Sequence, residues 1–177
     1  RVSISGAVPG VEVANHFTNR PYGSDPSEVK LIQMFAVDYD YLALYSPEML
    51  CGRGFSEAYG NERNKVVLNE EAVRLLGYPS PEEALGKQLE MEVLEDPLEV
   101  VGVVKNYHQQ SLAEPYKPIL FFLKERVPFI ATPYISVKMD GSVNSDRLAE
   151  VEQMYRTYFP SALFSYFYLD DYQDSLY

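Results

Sequence analysis

Leu98-Glu-Val-Val-Gly-Val-Val-Lys-Asn-Tyr-His-Gln-Gln-Ser-Leu112 is a strongly apolar run that ends in a polar turn carrying a histidine. Val100, Val101, Val103 and Val104 are β-branched and stiff, which suits a pleated, well-buried surface. Gly102 interrupts them and weakens the strand, so its use is a bulge or the close approach of a neighbouring backbone. Lys105, Asn106, His108, Gln109 and Gln110 then return the chain to solvent. On these residues alone the stretch is either the central strand of the domain with a structural exit turn, or a strand that delivers an active site.

Working outward, Gln88–Leu94 alternates strictly, with Leu89, Met91 and Val93 opposed to Gln88, Glu90 and Glu92. Asp96-Pro97 turns it into the opening strand, which predicts a hairpin. Val66–Leu68 is a short strand running into a helix that Asn69 caps, with Glu70 and Glu71 at the positive end of the helix dipole. Ala72, Val73, Leu75 and Leu76 are its expected buried residues and Gly77 its stop. Ser80-Pro81-Glu82-Glu83 is a capping box opening a short helix that ends at Gly86. Upstream, Arg1–Gly10 reads as a lead-in segment and Val11–Phe17 as a strand. Thr18–Glu28 reads as a polar loop and Val29–Val37 as a second strand, the two strands forming a hairpin. Asp38 is the expected N-cap of a helix over Asp38–Tyr45 that Pro47 stops. Gly52-Arg53-Gly54 suggests a tight turn, and Glu57–Lys65 is polar and expected to be exposed.

Downstream, Pro115 and Pro118 bracket an extended link, and Ile119–Leu123 and Tyr134–Met139 read as strands. Asp146–Tyr158 shows the clearest helical spacing, with Leu148, Val151, Met154, Tyr155 and Tyr158 on one face, and Pro160 ends it. Phe164–Leu169 is expected to be a last strand, and Asp170–Tyr177 the start of another helix. The order β-β-α, β-α-β-β, β-β-α-β is an α+β pattern, in which a middle block of about 48–110 reads as a lobe inserted between two ends that pack together.

The 177 residues suit one domain or two small lobes, and 46% hydrophobic residues supply a core. With 15 Tyr and 9 Phe, much aromatic surface can lie at core edges or interfaces. A net charge of −11 with no offsetting basic run disfavours nucleic acid and anionic lipid surfaces. The lone Cys51 excludes an internal disulfide and a multi-thiolate zinc site, and reads as a buried, inert thiol. No apolar run approaches the roughly 18 residues of a membrane span, and no signal-peptide pattern is present. The start at Arg1 reads as an excised piece of something longer.

Candidate chemistry is sparse. The histidines are His16 and His108, and neither lies in a metal-binding pattern. Ser111 follows His108 but has no nucleophile elbow around it, so His108 reads as ordering its loop by hydrogen bonds. Glu70/Glu71 and Glu82/Glu83 have a structural explanation as helix N-terminal acids. Asp170, Asp171 and Asp174 lack a calcium-loop pattern and read as caps of the last helix. No phosphate-binding loop occurs, so ATP binding is not expected. No catalytic, cofactor or metal residues are assigned, and the composition favours an interaction domain.

Seven segments in order carry a family resemblance: Phe35-Ala-Val-Asp-Tyr-Asp-Tyr-Leu, Leu50-Cys-Gly-Arg-Gly-Phe, Val66-Val-Leu-Asn-Glu-Glu-Ala, Leu85-Gly-Lys-Gln-Leu, Val100-Val-Gly-Val-Val-Lys-Asn-Tyr-His, Tyr134-Ile-Ser-Val-Lys and Phe167-Tyr-Leu-Asp-Asp-Tyr-Gln-Asp-Ser-Leu-Tyr. Together they resemble the periplasmic core domain of MacB/FtsX-type ABC transporter permeases, in the tyrosine-rich variant of Bacteroidetes-like bacteria. The resemblance implies a periplasmic domain between the first and second transmembrane helices of an inner-membrane permease. It implies two lobes: a porter-like α/β lobe, placed at 1–47 and 111–177, and a smaller, mostly β lobe inserted at 48–110. It further implies a dimeric permease partnered by a cytoplasmic ATPase, and mechanical work on a periplasmic adaptor or effector: export, lipoprotein release or activation of cell-wall hydrolases. It carries over no catalytic residue and no cofactor, and no adaptor-docking motif is recognised. Two other readings stand beside it. One is a periplasmic ligand-binding sensor for a peptide, lipid or antibiotic, motivated by the tyrosines and the Thr18–Glu28 loop. The other is a hydrolase centred on His108 and Ser111.

Overall fold

The computed structural model describes residues 1–109, 114–141 and 143–175. Its centre is the opening stretch, as strand β7 (Leu98–Val104). One edge of β7 runs parallel to β5 (Lys65–Asn69). Its other edge is shared by two antiparallel strands, β6 (Gln88–Met91) along the start and β4 (Met49–Gly52) along the end. From β5 the ladder continues to β8 (Ile119–Leu123), then β3 (Lys30–Val37), then β2 (His16–Pro21), and β2 pairs back onto β6. Six strands therefore close a hydrogen-bonded circuit, which leaves none of them an open edge along its paired length. β1 (Val2–Ser5) and β9 (Tyr134–Val137) form an outboard pair attached to the far end of β3 through Ser5 opposite Val37.

Side-chain alternation divides the core in two. Ile32, Met34 and Ala36 of β3 join Leu120 and Phe122 of β8 in a core covered by α2 (Glu70–Leu75) and α3 (Pro81–Ala84). Phe35 and Val37 join Ile119, Phe121 and Leu123 in a second core, covered by α1 (Tyr41–Tyr45) and residues near Ala7 and Val13. Every residue of β8 is buried, which is why it reads as a continuous apolar run rather than an alternating one. Phe35, Tyr41 and Phe121 stack at ring separations of 5.2–6.1 Å.

Gly102 serves both of its predicted uses. β7 carries a register shift against β5, with Val100 opposite Val66 but Gly102 opposite Val67, so Val101 bulges out. On the other edge Gly102 faces Gly52, and a Cβ at Gly102 would lie 2.2 Å from the carbonyl oxygen of Arg53. Gly52 itself has φ +71°, and a Cβ there would meet the Val101 oxygen at 2.3 Å.

Several expectations need correction. The lead-in segment contains β1, too short to show in the sequence pattern. The strand expected at Val11–Phe17 begins only at His16 and runs through Pro21, four residues into the stretch read as loop, because pairing with β3 and β6 overrides the turn propensity of Asn19 and Pro21. Asn19 is fully buried there. Gly52 ends a strand, β4, so Gly52-Arg53-Gly54 is a strand's exit rather than an isolated turn. Asp40, not Asp38, is the residue before α1, and it makes no capping bond. Asp38 instead accepts from the Ser3 hydroxyl at 2.8 Å and the Ile4 N–H at 2.6 Å, fastening β1. Glu57–Lys65 is not wholly exposed, since Glu62 is 1% exposed and pairs with Arg53 at 2.6 Å. Its other oxygen accepts from the Ser56 N–H, and the Arg53 guanidinium also lies over the Tyr59 ring.

The C-terminal arm departs most. α4 (Ser145–Tyr158) has the predicted span, yet none of its residues is buried, and Tyr158 is 75% exposed. Phe164–Leu169 pairs with no strand among the described residues, and Leu169 already belongs to α5 (Leu169–Asp174). Aromatic contacts hold the arm instead: Tyr155 with Phe159 and Phe164, and Phe167 with Tyr134 of β9. Asp170 and Asp171 lie in the first turn of α5 without capping it.

The ladders β5–β8 and β2–β6 run between residues 48–110 and the flanking segments, so strands from both sides of the expected lobe boundaries share one sheet. No helix among the described residues is long and apolar enough to cross a membrane.

Candidate functional site

The turn after β7 is the one place where the sequence offered catalytic residue types, and its geometry can be followed atom by atom. The Lys105 N–H donates to the Glu48 carbonyl, and its ammonium bonds the Glu48 carboxylate at 2.9 Å, which holds the lysine pKa above its usual value. Asn106 docks the turn on the N-terminus of α2. Its Oδ1 accepts from the Glu71 N–H at 2.9 Å, and its own N–H donates to the Glu70 carboxylate at 2.7 Å. Asn69 completes the joint: its Oδ1 accepts from the N–H groups of Ala72 and Ile119, and its amide donates to the Lys117 carbonyl. One buried side chain thus fixes the end of β5, the first turn of α2 and the start of β8.

Gln109 is 2% exposed, and its amide donates to the carbonyls of Val8 and Val11 at 2.8 and 2.9 Å. Its backbone carbonyl accepts from the Gly10 N–H. The turn therefore anchors the loop between β1 and β2. Tyr107 turns inward, and burial drives its phenol well above the ordinary range, so it remains protonated near neutrality.

His108 lies against Tyr116 with ring centres 4.4 Å apart, and the cavity beside it holds about 10 Å³, room for about one water. Ring contact, rather than the expected hydrogen bonding, is what the described residues show for this histidine. Ser111 lies outside the described residues. His16 sits at the start of β2 beside the Ala14 carbonyl, and among the described residues no group of His, Cys, Asp or Glu is arranged to hold a metal. Cys51 is half-buried rather than buried. Burial and then Glu82 push its thiol pKa up, away from the reactive thiolate. Lys105, Asn106 and Gln109, which looked chemical in the sequence, are joints between elements.

Residues 1–153 match the family described as the MacB-like periplasmic core domain. The chain belongs to that family. The ABC transporter permease YvrN of Bacillus subtilis (strain 168) is 33% identical over 123 residues, covering 66% of this chain and 29% of YvrN. The chain thus spans less than a third of that relative. Among solved structures, this MacB-like domain superposes on the extracellular domain of the noncanonic ABC-type transporter YknZ from Gram-positive bacteria. The TM-score is 0.62 at 15% identity, over 92% of this chain and 77% of that one. The periplasmic region of MacB from Actinobacillus actinomycetemcomitans gives 0.63 at 18% identity, over 99% and 74%. A permease-protein domain from Porphyromonas gingivalis gives 0.59 at 11%, over 89% and 63%. These likenesses agree on a mixed α+β fold built on one large sheet.

The residues that sequence reading missed are polar ties: Asp38 to β1, Arg53 to the buried Glu62, and the buried Gln109. Glu62 lies in Asn61-Glu-Arg-Asn64, a run that looks like any solvated loop. Only the fold reveals that its carboxylate turns inward. Gln109 was legible as polar but not as buried.

Proposed function

We propose that this domain is the extracytoplasmic part of an inner-membrane ABC permease, and that it transmits motion driven by cytoplasmic ATP hydrolysis to a periplasmic partner without catalysing a reaction itself. The observation that carries this reading is the placement of the two terminal segments. The Arg1 amino group donates to the Lys138 carbonyl just past the end of β9, and Phe167 packs on Tyr134 at its start, so both segments rest on the β1–β9 pair, which is joined to one end of β3. A push delivered there reaches the opposite end of β3 through a closed circuit of paired strands, which resists shear. The engagement of the turn residues in structural bonds favours the non-catalytic reading. We further propose that residues 48–110 form the inserted lobe and 1–47 with 111–177 the porter-like lobe, coupled through β5–β8 and β2–β6. The permease is proposed to act as a dimer with a separate ATPase.

The test uses the full-length permease with its ATPase in proteoliposomes, with Cys51→Ser and spin labels at Asp25→Cys and Asp171→Cys. Rigid transmission predicts an intradomain distance that is equal in ATP and vanadate-trapped states, while the distance between subunits changes. An intradomain change with no intersubunit change defeats the proposal.

The sensor alternative draws on a different observation, an open groove beside the loop after β2. Its rim is charged, which favours a peptide over a lipid.

A further inference from the structure

The groove lies between the β2–β3 connection and the β6–β7 hairpin and has a volume of about 630 Å³. That is within the usual size of ligand and peptide clefts. Its apolar surface comes from Val29, Leu94 and the exposed ring of Tyr22, with Met91 buried beneath them. Its rim is the 92–96 turn, which projects Glu92, Glu95 and Asp96 into solvent.

The charges are unbalanced. Arg20, the groove's own cation, is engaged by Glu90, which accepts from its Nε at 2.7 Å and also from the Gly23 N–H. Glu92 accepts from the Thr18 hydroxyl at 2.8 Å, and Asp96 stands 3.8 Å from an Arg126 guanidinium that is only 10% exposed. Among the described residues, Glu92 and Glu95 have no cation within 4.0 Å. Asp25 and Glu28 of the adjoining loop add to the same field. β2 and β6 are each paired on both sides, so no open strand edge is offered here, and recognition must come from side chains.

The groove also sits where it is reachable. Asn19 of β2 pairs with Lys30 at the start of β3, whereas Ser5 of β1 pairs with Val37 at its end. An eight-residue strand separates the two sites by roughly 25 Å. The groove therefore opens at the end of the molecule opposite the segments that carry Arg1 and Phe167.

We propose that this groove docks an extended, basic segment of a partner protein, with arginine or lysine side chains meeting Glu92, Glu95 and Asp96 and an intervening apolar side chain resting on Val29, Leu94 and Tyr22. An anionic lipid surface is repelled by the same rim, which makes a protein the occupant. The site does not depend on whether the domain transmits force, since binding is read on the isolated chain.

The probe is a short fluorescein-labelled peptide of alternating arginine and leucine, and its counterpart of alternating glutamate and leucine. Fluorescence anisotropy is measured on the chain, on the triple variant E92Q/E95Q/D96N, and on D170N/D171N/D174N, which removes the same charge from the arm. The expected result is binding of the arginine peptide that weakens with salt and falls at least about tenfold in the groove variant, with less than about a twofold change in the arm variant. Hydrogen exchange should show protection at 18–29 and 90–97. All six positions are exposed, and unchanged circular-dichroism melts establish that the variants fold. The proposal is overturned if the arginine peptide does not bind, or if both variants lose affinity equally. It is also overturned if the glutamate peptide binds as well, or if spermine displaces the peptide at equal charge concentration, which would make the groove a bare polycation site.

Discussion

β8 and α4 both carry clear apolar signals in the sequence, one a continuous run and the other a helical stripe, and they meet opposite fates. Ile119–Leu123 is buried at every position between β3 and β5. The Leu148, Val151, Met154, Tyr155 and Tyr158 face of α4 buries nothing fully. The lesson is that periodicity predicts an element and a face, while burial depends on what other elements bring to that face. The closed circuit supplies partners on both sides of β8. Among the described residues, the α4 face is met by the arm's own aromatics, Phe159 and Phe164 against Tyr155. Stability should therefore reside in the circuit.

The largest expected effect tests the crossing where β4 and β7 touch. Gly102→Val places a branched side chain where even a Cβ comes within 2.2 Å of a backbone oxygen. Neither strand can withdraw without breaking its ladder, so a loss above about 4 kcal/mol is expected and folded protein should not accumulate. A soluble variant with a native urea midpoint would show that the approach is loose.

Next comes the direct contrast between circuit and arm. Phe121→Ala should cost about 3–5 kcal/mol, because a fully buried ring leaves a cavity against Phe35 and Tyr41. Tyr158→Ala on the arm should cost less than about 0.5 kcal/mol. Urea denaturation of the two variants measures the difference, and equal losses would mean that α4 is covered in solution. Between these lies Asn69→Ala, which strands the Ile119 N–H and the Lys117 carbonyl as well as uncapping α2. About 2–3 kcal/mol is expected, more than a cap alone provides.

How much of this was legible follows the range of the interactions. The β6–β7 hairpin, the Asn69 and Ser80 caps, β8 and the span of α4 are set by residues within a few positions of one another, and each stands where the sequence places it, except that β6 ends at Met91 and leaves Val93 exposed. The two uses of Gly102 were both readable in kind, but not that the partner would be Gly52, fifty residues away. β1 and the shift of β2 to His16–Pro21 arise from long-range pairing, which overrides local propensity. Asp38 has the sequence signature of an N-cap, yet its carboxylate reaches back to β1. The polar turn presented catalytic residue types and no means of telling a buried Gln109 from a solvent-facing one.

The buried tyrosines give a smaller, pH-dependent test within the circuit. Burial raises the phenol pKa of Tyr41 and of Tyr107, so folding favours their neutral forms. The unfolded phenols titrate near about pH 10. Their contribution is thus complete below about pH 10 and is lost as pH rises beyond it, because only the unfolded chain can then release the proton. The urea midpoint should fall more gently above about pH 10 in Tyr41→Phe than in the parent. At neutral pH this variant should be neutral or more stable by up to about 1 kcal/mol, since the Tyr41 hydroxyl is buried with no partner among the described residues.

A small effect at His108 is the most informative about function. His108 is half-exposed and stacked on Tyr116, beside a cavity of about 10 Å³. Replacing it with alanine removes one ring contact and should cost less than about 1 kcal/mol. A general base would behave differently: its loss would remove an activity while leaving stability untouched. The two roles separate when His108→Ala is scored for urea stability and for hydrolysis of a chromogenic ester by the isolated chain. A small stability loss with no parent activity to lose fits a joint. An ester hydrolysis present in the parent and abolished in the variant would return the turn to the standing of an active site, and the contrast between a packed circuit and an exposed arm would have to be redrawn around it.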